Sequence, residues 1–150
     1  MYVKSNIQKI YKIQKKAIRV ITKSKYNDHT APLFESLNIM TYENILKYNK
    51  LIFMHSIEFN YAPSSFNEVW TKNTQRNNLY KLRNNDDSTL KPVRIELFKR
   101  IPVYSFALEW NEVGDLKFQS NRKIFQTALK HMLMGPPPPL PPFFPEEVPY

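Results

Sequence analysis

The chain has 150 residues, no cysteine and a net charge of +9 at pH 7. This length supports one hydrophobic core, and the lack of cysteine excludes disulfides, cysteine-based zinc sites and thiol nucleophiles. The positive charge favours phosphate backbones or anionic membrane surfaces as partners over acidic small molecules. No apolar run reaches the roughly 18 residues of a membrane span, so we expect a soluble intracellular protein, nuclear or cytoplasmic, with no membrane partner.

The first predicted helix extends from about Asn6 to Thr22. At about 100° per residue, isoleucine, valine and tyrosine fall on one side and lysine and arginine on the other. The first 25 residues hold eight Lys and Arg, and no Asp or Glu precedes Asp28. A solvated face is the ordinary explanation of such a pattern, but the complete lack of acidic residues favours phosphate contacts without base readout. The basic side consists of Lys4, Lys9, Lys12, Lys15, Lys16, Arg19 and Lys23.

Capping residues predict the next two helices. Thr30 is a candidate N-cap, Pro32 fits the first turn of a short helix, and Asn38 marks its end. Thr41 can cap a longer helix, whose apolar residues follow helical spacing until Asn60–Pro63 interrupt it. We expect this longer helix to be the centre of the core.

A short turn and a long loop are predicted after the central helix. Ser64 or Ser65 can start the turn. The stretch 71–88 is polar and rich in Asn, and a loop of this length suggests a functional or mobile excursion. Asp86 and Asp87 lie in it without a hydrophobic hairpin that could hold a metal, so a solvated turn is favoured over a metal-binding aspartate pair.

The pattern changes again toward the C-terminus. Between residues 90 and 112, β-branched and aromatic side chains predict short extended pieces and a small two-stranded ribbon. Trp110 is predicted to be a packing anchor, and Asn111 to fix the turn that follows. A last helix should begin near Ser120 and end at Gly135, which is well placed as its C-cap.

A second group of cations lies within and after the long loop. It is interleaved with Tyr80 and Tyr104, whose rings could stack on unpaired bases, although a core position is favoured for Tyr104. The group consists of Arg76, Lys81, Arg83, Lys91, Arg94, Lys99 and Arg100.

No catalytic or metal site is predicted. His29, His55 and His131 are far apart in sequence and have no carboxylate cluster nearby, so we expect neither a metal nor a cofactor. The serines and threonines show no partnered base.

The last sixteen residues, GPPPPLPPFFPEEVPY, contain eight prolines. Such a segment favours polyproline II and contributes nothing to a core. It suits the aromatic grooves of SH3, WW, EVH1 or profilin-like domains, although an incidental extension is favoured. The predicted fold is thus mainly α, with a small helical domain over residues 1–134 that includes a short extended segment, and a disordered Pro-rich tail over residues 135–150. The candidate partner-binding residues are Pro136, Pro137, Pro138, Pro139, Leu140, Pro141 and Pro142.

Six short patterns follow one another between Ile7 and Leu133. In chain order they are IQKKAIRVIT, APLFESLNI, TYENILKYNKLIFMH, the set Tyr80, Arg83 and Asn84, KPVRIELFKRIPVYSFALEWNEV, and RKIFQTALKHML. Their order resembles the region downstream of the polymerase domain in reverse transcriptases of non-LTR (LINE-type) retrotransposons.

The resemblance implies a non-catalytic fragment of an RNA-directed DNA polymerase from a transposable element. Polymerase chemistry needs carboxylates that hold two divalent metals. Those carboxylates belong to domains that this sequence lacks, and it lacks the endonuclease as well. We therefore expect no enzyme, but sequence-tolerant binding of RNA or DNA backbone. Two alternatives stay open: an interaction protein that recruits partners through the tail, and a decayed product without selected function. Self-association would hide the apolar side of the first helix. The candidate nucleic-acid-binding residues are Lys9, Lys12, Lys15, Lys16, Arg19, Lys23, Arg83, Arg94, Lys99 and Arg100.

Overall fold

The computed structural model describes residues 2–75 and 85–135, with side chains from residue 6 onward. This part of the chain is mainly helical, as predicted. The predicted tail from residue 136 lies outside it. The α-helices are α1 (Tyr2–Ile21), α2 (Ala31–Ser36), α3 (Tyr42–Glu58), α4 (Pro102–Asn111) and α5 (Arg122–Met134), and short 3₁₀ turns occupy Ser64–Phe66, Asn73–Gln75, Phe98–Arg100 and Gly114–Phe118.

The long helix α3 lies at the centre of the core, which confirms the prediction from its cap and spacing. The Thr41 hydroxyl accepts a hydrogen bond from the Asn44 amide at 3.3 Å. Both α4 and α5 pack against α3. Burying large apolar side chains contributes about 1.5–3 kcal/mol each, and Trp110 is the predicted anchor among them. The buried cluster consists of Leu51, Met54, Ile57, Trp110, Val113, Phe125 and Leu129.

The boundaries of α2 and α5 are also close to those predicted. α2 follows Thr30, although the Thr30 side chain makes no capping hydrogen bond, and Asn38 lies just beyond its end. Gly135 is the C-cap of α5, with φ of 81°. α5 begins at Arg122, close to the predicted start near Ser120, and the side chain of its N-cap Asn121 accepts hydrogen bonds from two amides of the first turn.

Three helices end in the same left-handed conformation. Lys23, Asn38 and Asn60 follow α1, α2 and α3 with φ of 53°, 53° and 57°. In each case the amide of this residue donates to the carbonyl three residues back, and the next amide donates five residues back. Asparagine adopts this conformation readily, whereas a long side chain such as lysine adopts it at a cost of about 1 kcal/mol or more.

α1 packs on α2 and α3 through one narrow side. Ile18 is buried there, and the Tyr11 ring lies 6.2 Å from that of Phe34. The Gln14 side chain donates to the Met40 carbonyl and accepts from the Tyr42 amide, both at 2.8 Å. This amide therefore sets the position of α1 at the junction between α2 and α3.

The ribbon predicted for residues 90–112 is wrong, because α4 occupies the second half of this segment. Pro102 suits the first turn of a helix, where no intrahelical amide donor is required. Ala107 and Trp110, three residues apart, are both buried. Nearly every position in 103–108 is apolar, so neither a helical nor a strand period stands out, and packing against α3 selects the helix.

Backbone hydrogen bonds link residues 71–75 to residues 85–89 instead. The Thr89 amide donates to the Thr71 carbonyl at 2.7 Å, and Lys72 forms an isolated antiparallel bridge with Ser88. Within the described ranges, the pairing does not extend into a strand.

Side-chain contacts attach this paired segment to the helical body, among them an ion pair between Lys72 and Glu58 of α3. Asn111 was predicted to fix the turn that follows it, which is wrong, since its side chain instead binds the backbone of Ser88. Lys117 forms an ion pair with Asp87 at 2.5 Å. Asp86 is exposed, so the predicted solvated turn describes Asp86 but not Asp87.

Candidate nucleic-acid interface

The surface of α1 carries three stripes rather than two sides. One stripe, around Ile18, packs on the body of the protein. The predicted apolar side is wider than this contact, and Ile13, Val20 and Ile21 remain 66%, 78% and 63% exposed. The third stripe is basic, and it lies next to the exposed apolar one.

The basic stripe comprises Lys9, Lys12, Lys16 and Arg19 of α1, together with Lys23 just beyond the end of the helix. Its four lysines are exposed. Among the residues that the structure describes, none of these five side chains forms an ion pair. The cause is in the sequence, since α1 has no acidic residue three or four positions away. The stripe therefore presents uncompensated positive charge to solvent.

Lys15 differs from the lysines of the basic stripe. It is half-buried, and its ammonium group lies 4.2 Å from the centre of the Tyr11 ring. A cation over an aromatic face is already partly stabilised. Lys15 therefore belongs to the edge of the packed stripe.

An open groove of about 530 Å³ lies at the C-terminal end of the basic stripe. Tyr26 forms one wall and is 79% exposed. The Arg19 guanidinium lies 5.7 Å from the centre of the Tyr26 ring. Three cations and one aromatic ring thus share a single depression. The residues that line it are Lys16, Arg19, Val20, Lys23, Ser24 and Tyr26.

A tight turn holds the groove in shape. The Asp28 carboxylate accepts from the Lys25 amide at 2.7 Å, and the Asp28 amide donates to the Lys25 carbonyl at 3.1 Å. Arg19 donates from Nη2 to the Asp28 carbonyl at 3.0 Å. The same guanidinium is therefore fixed by the turn that presents Tyr26.

Sequence reasoning missed Tyr26. The only signal was an aromatic residue within the polar, cationic segment KSKYN. Tyr26 lies beside Arg19 because of the turn at 25–28, and the helical periodicity of α1 does not predict this turn.

The second predicted basic zone lies on other elements. Arg94, Lys99 and Arg100 are exposed, and Lys99 pairs with Glu96 at 3.1 Å. The turn that carries Lys99 and Arg100 packs on α4, whereas α1 packs on α2 and α3. Tyr104 is half-buried on α4. The structure does not place this zone on the α1 stripe, and Arg83, like the whole stretch 76–84, lies outside the described residues.

A larger cavity of about 590 Å³ lies between Tyr11, Phe34 and Leu133. Its lining includes Glu35 and no lysine or arginine. Of these two cavities, only the groove at Tyr26 has the charge that an anion requires.

His55 is fully buried in the core. Its Nε2 donates to the Gln119 carbonyl at 2.9 Å, and its ring stacks on Phe125 at 4.3 Å between centres. Burial lowers the pKa of His55 below its ordinary value, so the ring is neutral at pH 7. In the described ranges, no three His, Asp or Glu side chains converge as metal ligands.

The predicted partner-binding prolines, from Pro136 to Pro142, lie outside the described residues. In the part of the chain that is described, no helix has both the length and the apolar character to cross a bilayer.

No protein-family model, curated protein or solved structure matches this chain.

Proposed function

We propose that this chain is a non-catalytic module that binds the backbone of RNA or DNA along the basic stripe of α1. We further propose that it corresponds to the region downstream of the polymerase domain in a LINE-type reverse transcriptase. The single observation that carries the binding proposal is a set of five cations, four on one face of α1 and Lys23 just beyond its end, with no ion pair in the described structure.

The dimensions of the stripe suit a nucleic-acid strand. Within α1, Lys9 and Arg19 are separated by about 15 Å along the helix axis, at 1.5 Å per residue. This distance corresponds to about four phosphate steps of 3.4 Å on one strand of a duplex. Lysine contacts act through charge alone, so we expect affinity to depend little on base sequence.

Binding along the stripe has a specific salt dependence. Five phosphate contacts predict a slope of log K against log salt of about −3.5 for a single strand and about −4.5 for a duplex. A protein that bound through a few polar side chains would show a much shallower slope.

Neutralising part of the stripe tests the proposal. The variant Lys9→Gln, Lys12→Gln, Lys16→Gln should reduce the single-strand slope by about 2 and weaken binding at least about tenfold at 50 mM salt. The matched control neutralises three exposed cations of α5, Arg122, Lys123 and Lys130.

Fluorescence anisotropy with labelled RNA and DNA of 12 nucleotides measures the affinity of each variant and the salt slope. Equal losses in the two variants would show that only net charge matters, and no binding by the unaltered chain at 50 mM salt would reject the proposal.

The module is assigned binding and no reaction step. Template RNA and its DNA copy are intracellular, so the proposed site of action is the nucleus or the cytoplasm.

A further inference from the structure

We propose that the groove beside Tyr26 holds one unstacked base together with its phosphate, so that the module prefers single-stranded to fully paired nucleic acid. This inference rests on the proposed function, and it adds the substrate class and the residue that selects it.

The exposure of the Tyr26 ring supports this proposal. Tyr26 is 79% exposed although it stands beside a groove, and it belongs to no core cluster. Bases stack on exposed aromatic side chains in proteins that bind single strands. A groove of about 530 Å³ lies within the usual size range of small-ligand sites.

The guanidinium of Arg19 has a fixed place beside the ring. The guanidinium of Arg19 is held near the Tyr26 ring by its hydrogen bond to the Asp28 carbonyl. Lys16 and Lys23 line the same groove, and neither makes an ion pair in the described structure. A base on the ring therefore places its phosphate near a guanidinium that is already held in position and near two lysines of the groove.

The backbone conformation of Lys23 also supports the proposal. This residue has φ of 53°, a conformation that favours glycine or asparagine. The other two helices that end in this way have asparagine there. Strained residues cluster at functional sites, and here the strained residue brings a cation to the groove.

The groove should therefore distinguish single strands from duplexes by whether a base is accessible. In a duplex the bases are stacked and paired, so a duplex can use the lysines of α1 but not Tyr26. A single strand can use both.

The test compares three variants on two kinds of ligand. Tyr26→Ala removes the ring, and Tyr26→Phe retains it. Phe118→Ala is the matched control, because Phe118 is 60% exposed and has the Lys117 ammonium 5.3 Å from its ring centre. The ligands are a 12-nucleotide single-stranded RNA, the same sequence as single-stranded DNA, and the corresponding duplexes, with 2-aminopurine as a stacking reporter.

Tyr26→Ala should weaken binding of both single strands about tenfold, leave duplex affinity within about twofold, and abolish quenching of 2-aminopurine. Tyr26→Phe and Phe118→Ala should behave like the unaltered chain. Comparison of the two single strands shows whether the groove prefers RNA or DNA.

Two results separate this inference from the function it rests on. If Tyr26→Ala leaves single-strand affinity intact while the triple lysine variant of α1 loses it, the groove inference is wrong and backbone binding stands. If the unaltered chain binds no nucleic acid at 50 mM salt, both are wrong.

Discussion

The side-chain amide of Asn111 pairs with both backbone groups of Ser88. Its Oδ1 accepts from the Ser88 amide at 2.8 Å, and its Nδ2 donates to the Ser88 carbonyl at 3.0 Å. Asn111 is the last residue of α4, and Ser88 is buried in the segment that pairs with residues 71–75. One amide thus links a polar loop to the helical core, and only Asn or Gln offers both a donor and an acceptor in this geometry.

Replacing Asn111 by Asp should destabilise the fold by about 1–3 kcal/mol. The carboxylate can still accept from the Ser88 amide, but it cannot donate to the carbonyl, which leaves a buried acceptor facing a negative charge. Urea unfolding measures the change. The control is Asn49→Asp, an exposed position on α3, which makes the same change of charge and should stay within about 0.5 kcal/mol. Similar values for the two variants would contradict the role assigned to the amide.

Lys23→Gly should raise stability and lower affinity at the same time. Glycine adopts a φ of 53° without steric cost, so we expect a gain of up to about 1 kcal/mol. Loss of one phosphate contact should reduce the salt slope by about 0.7–0.9. Lys25→Gly is the control, because it removes a neighbouring exposed charge where φ is not positive. It should lower stability slightly, and a stabilisation as large as that of Lys23→Gly would show that the gain comes from reduced charge.

The local signals in the sequence predicted most of the helices, because capping and periodicity depend on neighbouring residues. Thr41, Asn38 and Gly135 mark helix ends through their own backbone preferences. α4 was missed because its selection depends on packing against α3, which is distant in sequence.

The candidate site, too, could be predicted only in part. The basic stripe follows from helical periodicity alone, so Lys9, Lys12 and Lys16 could be predicted. Tyr26 could not, since its position depends on a turn whose carbonyl binds Arg19, nine residues from Asp28.

His55 should make stability depend on pH below about 6.5. Burial lowers the pKa of His55 in the folded protein, whereas the unfolded chain takes up this proton near 6.5. The unfolded state therefore binds more protons as the pH falls from about 6.5 toward the folded pKa, and stability decreases by at most about 1.4 kcal/mol per pH unit.

His55→Phe should flatten this part of the pH profile, because phenylalanine keeps the stacking on Phe125 and has no proton to gain. Its stability at pH 8 should fall by about 1 kcal/mol, since the Gln119 carbonyl loses its donor. Unfolding at pH 5, 6, 7 and 8 measures both effects. The exposed His131, replaced by Gln, is the control, and an unchanged slope in His55→Phe would contradict the assignment.

Gln14→Leu should loosen α1 while leaving its basic stripe unaltered. Gln14 binds the Met40 carbonyl and the Tyr42 amide at 2.8 Å each, and leucine leaves both partly buried groups without these partners. We expect a loss of about 1–3 kcal/mol, with faster amide hydrogen exchange in α1 than in α3. Gln8→Leu, an exposed position on the same helix, is the matched control and should change neither quantity. Because the cations of the stripe are retained, the salt slope of RNA binding should stay the same in both variants. A reduced slope in Gln14→Leu would mean that phosphate contact needs α1 in its docked position, and unchanged exchange in α1 would show that Gln14 does not hold the helix.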